Sequence, residues 1–154
     1  MNGTIHISEL AAPPDELLGL VLESERDGYR LLRRLLDEWS AGTNRFSRPG
    51  EALLGAYVDA RLVGVCGINV DPYTTDASTA RARHLYVARD SRLRGIGRQL
   101  VEQVILRSRG AFKRIRVRTD TAGGSAFYLR LGFRQCLDAT ASHVLDLEAP
   151  SGVL

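Results

Sequence analysis

The sequence predicts an α/β protein built on a mixed sheet, and three observations carry that reading. Several segments alternate apolar and polar residues with period two, others repeat apolar residues at helical spacing, and one short span runs strand, helix, strand. The last makes a right-handed crossover that leaves its two strands parallel.

The elements follow in order. "TIHISEL" alternates as a first strand, with Ile5 and Ile7 on one face. "APPDELLGLVLESE" opens on a Pro-Pro-Asp signal and reads as a helix. "RDGYRLLRRLLDEWSAG" sets Leu31, Leu32, Leu35, Leu36 and Trp39 on one side and closes at Gly42, with Arg26, Arg30, Arg33, Arg34, Asp37 and Glu38 as its solvated face. "ALLGAYVDARLVGVCGINV" is two apolar runs about a tight Asp59-Ala60-Arg61 turn, a hairpin, and "DPYTTDAST" is a loop.

"ARARHLYV" holds a conflict of phase. Ala80 and Ala82 set one alternation, while Leu85 and Val87 fall on the opposite one, and a β-bulge near Arg83 or His84 reconciles them by adding a residue. From Ile96 the apolar residues recur at helical spacing until Gly110. "KRIRVRT" alternates again, Ile115 and Val117 inward, Arg114, Arg116 and Arg118 outward. After "DTAGGS" a short helix "AFYLRL" ends at Gly132, and two strand-like pieces, "FRQCL" and "SHVLDL", close the chain.

The 154 residues, 44% hydrophobic and 25% charged, suit one globular domain over 1–154. No apolar run approaches the ~20 residues of a membrane span, and "MNGTIHISEL" lacks the basic start and apolar core of a signal peptide, which points to the cytoplasm. Cys66 and Cys136 form no CxxC or Cys/His cluster, so no metal site is expected and the thiols read as reduced. The net charge of +3 fits either a nucleic-acid binder or a phosphate-bearing cofactor.

"RLRGIG", residues 92 to 97, stands where a strand has ended and a helix begins. One glycine would make a turn; Gly95 and Gly97 together, flanked by Arg92, Arg94 and Arg98, suit an anion lying against backbone. The spacing fails both common nucleotide loops, since position 100 is Leu100 and no GK[ST] follows. What remains is a helix start whose amides and dipole favour a pyrophosphate that no side chain blocks.

With those residues in view, "HLYVARDSRLRGIGRQLVEQVI" resembles the acyl-CoA-binding motif of the GNAT (GCN5-related) N-acetyltransferases, [Q/R]-x-x-G-x-[G/A] after a bulged strand. "AFYLRLGF" resembles the family's later signature, a Tyr four residues before a Gly-Phe pair. The resemblance spans roughly residues 80 to 135. It implies a mostly antiparallel sheet of six to seven strands flanked by helices, and transfer of an acetyl group from acetyl-CoA to a primary amine of a small molecule or peptide. By the same resemblance, residues 92 to 98, including Leu93 and Ile96, hold the pyrophosphate, and Leu85 and Tyr86 adjoin the acyl channel. Val87 offers its amide to the acetyl carbonyl, and Tyr128 donates a proton to the departing thiolate. The alternative to that role is an amphipathic packing residue beside Phe127 and Leu131.

Two departures stand out. The family often carries an Asn before the Tyr, where this chain has "TDTAGGSA", leaving Ser125 or backbone groups to hold the pantetheine arm; and where some members place a Glu in the bulged strand, this chain has Arg81. Glu51, Asp71 and His84 are the candidates for receiving the amine's proton, with a water chain as the alternative. The resemblance places the acceptor near Trp39, Arg45 and Phe46. A homodimer is left open. Two other classes compete: a nucleic-acid module on "KRIRVR", which lacks interleaved aromatics, and an acyl-CoA sensor of the same fold that never transfers. Neither nucleic acid nor a membrane is an expected partner.

Overall fold

The computed structural model describes residues 3–147. Among them the strands are β1 (Ile5–Glu9), β2 (Ala52–Val58), β3 (Arg61–Val70), β4 (Thr79–Val87), β5 (Arg114–Val117), β6 (Arg134–Gln135) and β7 (His143–Asp146). The α-helices are α1 (Leu17–Arg26), α2 (Leu31–Ala41), α3 (Ile96–Ser108) and α4 (Ala122–Arg130). The strands form one sheet in the order β1-β2-β3-β4-β5-β7-β6. Every neighbour pair is antiparallel except β4 with β5, the crossover that α3 spans. The fold is mixed α/β, as the pattern of alternation predicts.

Both faces of the central strands are covered. Gly64 of β3 lies beneath Ile96 and Leu100 of α3, whereas Gly67, on the opposite face, lies beneath Phe46. A Cβ at Gly67 would come within 2.5 Å of the Phe46 ring, so only glycine lets that aromatic seat on the sheet. The β2–β3 hairpin turns on Asp59 and Ala60 with φ of 51° and 66°, a two-residue turn made without glycine.

The phase conflict in β4 resolves as a bulge. Gly67 pairs with Arg83 and Val65 with Tyr86, so two steps along β3 match three along β4, and His84 takes φ 64°. The extra residue sits where the sheet also opens. β4 pairs with β5 only from Thr79 to Arg81, and beyond Arg81 the two strands separate. Residues 82–87 therefore keep one bonded edge, toward β3, and leave the other free.

Three expectations need correction. Arg116 is not on a solvated face: it is 9% exposed and paired with Asp71 at 2.9 Å and Asp138 at 2.7 Å, because alternation in a sheet covered on both sides separates two interiors rather than inside from outside. α4 begins at Ala122 rather than Ala126, since Thr121 caps it by accepting from the Gly124 amide at 3.0 Å. The second helix starts only at Leu31, after Gly28 turns the chain with φ 86°, and its charges are not all free: Glu38 pairs with Arg83 at 3.3 Å.

Candidate active site

The gap between β4 and β5 is the organising feature, and cavities open on two sides of it. The larger, about 910 Å³, lies between β4, the start of α3 and α4; Leu85, Val87, Gly97 and Phe127 form its walls, and Arg92, Leu93, Gly95 and Arg98 its rim. Ile96 forms part of its floor, almost wholly buried.

The helix start leaves its backbone bare. Gly95 stands before the helix with φ 80°, a left-handed conformation in which a Cβ is strained, and Leu93 also takes φ 66°. The first backbone bond into α3 runs from Gln99 N–H to Gly95 O at 3.0 Å, so the amides of Ile96, Gly97 and Arg98 come before any intrahelical acceptor. A Cβ at Gly97 would stand 3.7 Å from both Val87 and Phe127, so glycine there keeps the passage between β4 and α4 wide.

Val87 has its polar groups on the free edge. The neighbouring Ala88 N–H bonds back to Val63 O at 2.7 Å, and strand alternation turns the Val87 amide and carbonyl the other way. Arg92 Nε donates to that carbonyl at 2.9 Å. Tyr86 points elsewhere: its hydroxyl donates to Glu23 and Arg92 lies over its ring at 5.3 Å, so its side chain braces α1 against the loop and does not line the cleft. Arg94 is exposed and off the cleft wall. Ser125 Oγ meets His143 Nε2 at 3.0 Å, tying α4 to β7.

On the other side of the gap lies a cavity of about 540 Å³, lined by residues of α2, β4, the loop after β5, and α4. Leu85 and Phe127 line both cavities, so the two meet there. Tyr128 lines the smaller one. It is buried, packed edge-on against Phe127 and Phe133, and burial raises its phenol well above the ordinary range.

The proton-accepting candidates fare differently. Asp71, fully enclosed, is held by Arg116, and its Oδ1 accepts from Tyr73 N–H at 2.9 Å. Glu51 is half-buried, and its oxygens accept from Val70 N–H at 2.8 Å and Arg48 N–H at 3.0 Å. His84 lines the smaller cavity with Nδ1 2.9 Å from Leu31 O. A carbonyl can only accept, so Nδ1 carries the proton and Nε2 presents a bare lone pair, buried and without partner. Burial, helped by Arg83, pushes the imidazole down to about 3.

Of the acceptor candidates, Trp39 lines neither cavity and carries the Arg45 guanidinium 5.9 Å from its ring. Arg45 and Asp71 belong instead to a third cavity of about 660 Å³. Phe46 is buried edge-on against His84. Phe127, Arg118, Arg34 and Tyr73 escaped the sequence reading, since each joins the site only through long-range packing.

A sheet that opens after its one parallel pair, with a glycine-rich helix start at the opening, is the frame of an acyltransferase fold. Residues 49–135 match the family model described as an acetyltransferase (GNAT) domain, and the chain belongs to the GNAT acetyltransferase family. Among solved structures, it is similar to a candidate acetyltransferase from Exiguobacterium sp. 255-15, with 24% identity over 93% of each chain and a TM-score of 0.81. A GNAT-family acetyltransferase from Staphylococcus aureus Mu50 follows, with 17% identity, 94% of this chain and 100% of that one covered, and a TM-score of 0.72. The GNAT N-acetyltransferase YhbS of Escherichia coli, whose structure is a complex with CoA, shares 20% identity over 96% of this chain and 84% of that one, at a TM-score of 0.70. At these identities the likeness speaks to the fold. No curated protein matches the sequence. Among the described residues, no helix is long and apolar enough to cross a membrane.

Proposed function

We infer that this chain moves an acetyl group from acetyl-CoA to a primary amine of a small molecule or peptide by direct attack on the thioester. The observation that carries the reading is the meeting of the two cavities at Leu85 and Phe127, beside Tyr128. A donor on one side and an amine on the other then approach through one opening, which is the positioning a two-substrate transfer requires.

The residues fit the donor. Unpaired amides at Ile96, Gly97 and Arg98 receive the pyrophosphate, Arg92 adds charge while the Arg98 side chain is paired with Glu102 at 3.1 Å, and the glycines leave the backbone bare. A cleft of about 910 Å³ with apolar walls suits a long flexible arm. When bound, acetyl-CoA supplies an activated acyl carbon. The reaction forms one N–C bond and breaks one C–S bond; a proton leaves the nitrogen, one reaches the sulfur, and the products are an amide and a free thiol.

Three groups of this chain serve that exchange. The Val87 amide, on the free edge of β4, donates to the carbonyl oxygen as it gains charge. Tyr128, whose phenol burial keeps protonated, serves as a donor to charge growing on sulfur and not as a base. His84 Nε2 offers an acceptor to an amine N–H; with its imidazole down near 3 it orients the nitrogen, and water carries the proton away. The CoA complex of YhbS supports a CoA-type donor here. Incubation with acetyl-CoA and a panel of amines, read as free thiol and confirmed by mass of the amide, tests the reading; thiol release that no amine stimulates contradicts it. Such a result, with CoA still bound, would favour a sensor.

A further inference from the structure

Three side-chain polar atoms among the described residues are buried without a hydrogen-bond partner: Glu38 Oε1, Arg81 Nη1 and His84 Nε2. All three belong to one neighbourhood. Arg81 and His84 line the cavity beside Tyr128, Glu38 lines the adjoining one, and Arg83 and Tyr73 line both. Buried polar groups are nearly always paired, so the two orphans at the cavity beside Tyr128, Arg81 Nη1 and His84 Nε2, indicate a ligand that brings the missing partners.

What is missing has a definite chemistry. Arg81 donates through Nη2 to Thr140 O at 2.7 Å and stacks over Tyr73, its guanidinium carbon 4.7 Å from the ring centre. Its Nη1 reaches Asp71 only at 3.8 Å, outside hydrogen-bond range, while the same Asp71 oxygen accepts from Arg116 at 2.9 Å. One enclosed carboxylate thus stands between two buried guanidiniums, and Arg81 retains an unused donor. The walls add to this. Arg34, Arg81, Arg83 and Arg118 all line the cavity, against Asp120 as its one lining carboxylate. Arg83 is matched by Glu38 and Arg118 by Asp120, whereas Arg34 has no ion pair among the described residues.

A cavity with surplus guanidinium charge and a free donor selects an oxyanion, and the planar fork suits two oxygens at once. The bare lone pair of His84 asks for the opposite, an N–H. Leu85 and Phe127 provide apolar wall between them. Resting on the reading of this cavity as the acceptor site, we propose that the acceptor is a small amine that itself carries an oxyanion. Arg81 and Arg34 hold the oxyanion, and His84 Nε2 receives the amine. A free α-amino acid has both groups on neighbouring atoms, and an aminophosphonate presents the same chemistry with a doubly charged head.

The test is calorimetric titration of the CoA-saturated protein with matched sets: L-leucine, L-methionine and L-phenylalanine, their C-terminal amides, and the corresponding α-aminophosphonates. The expected result is that at least one acid binds about ten- to a hundredfold tighter than its amide, a margin that narrows with added salt. Arg34→Gln should erase most of that margin. The ratio of carboxylate to phosphonate affinity tells which oxyanion the site prefers. Amides that bind as well as the acids, or acids of which none binds, overturn the proposal. A separate titration with CoA alone tests the donor reading, and if CoA fails to bind, the same sets titrated into the free protein still decide the matter.

Discussion

Asp71 and Arg116 lie 2.9 Å apart at the point where β4 and β5 are still paired, just before the sheet opens. The Asp71 side chain is wholly enclosed, and Arg81 approaches the same oxygen at 3.8 Å. Replacing Asp71 by Asn keeps the bond to the Tyr73 amide but leaves two buried guanidiniums facing each other. The expected loss is about 3–5 kcal/mol, read as a lower urea midpoint at unchanged slope. A loss below about 1 kcal/mol would show that water already reaches these arginines.

His84 gives the protein a particular sensitivity to acid. An unfolded imidazole takes its proton near 6.5, while the folded one waits until about 3, so acid across that window favours the unfolded chain. The contribution is fully present above pH 6.5 and is lost as pH falls, at up to about 1.4 kcal/mol per unit. Melting temperatures should therefore begin to drop below pH 6.5, ahead of the carboxylates. His84→Gln should flatten that limb, and an identical pH profile in the variant would refute the assignment.

Thr121 holds the first turn of α4, the helix that presents Phe127 and Tyr128. Thr121→Ala should cost about 1 kcal/mol. Because the cap fixes where α4 begins, turnover should fall more than stability predicts, and equal losses in both would make the cap merely structural.

How much of this was legible in the chain depends on how local each signal is. The bulge could be read because Ala82 and Leu85 conflict in phase within a few residues, and the bare-backbone start of α3 because two glycines stand among three arginines between residues 92 and 98. Arg116 misled because alternation reports two faces and not which of them meets solvent; its fate was set by Asp71, 45 residues away. The role of Phe127 depends on Gly97 and Val87 lying opposite it, a relation created by the opening of the sheet and absent from any local pattern. The role proposed for Tyr128 came through family resemblance, whereas the cationic wall of Arg34, Arg81 and Arg118 comes from three separate segments and leaves no mark in sequence.

Tyr128→Phe separates packing from chemistry. The ring keeps its contacts with Phe127 and Phe133, and the hydroxyl makes no hydrogen bond to another described residue, so folding and CoA affinity should persist. Turnover should fall by roughly 10² to 10⁴, in kcat more than in the KM for the donor. Full activity in the variant would leave Tyr128 as a packing residue.

Calorimetry on Gly97→Val tests most directly whether the opening beside the start of α3 receives the CoA donor. A Cβ at Gly97 meets Val87 and Phe127 at ordinary contact distance, so the added methyls extend into the cleft without forcing the backbone. The native chain should bind CoA, and Gly97→Val, still folded by circular dichroism, should bind at least about thirtyfold more weakly, a loss of about 2 kcal/mol. CoA affinity unchanged in the variant, or no CoA binding by the native chain, would contradict it.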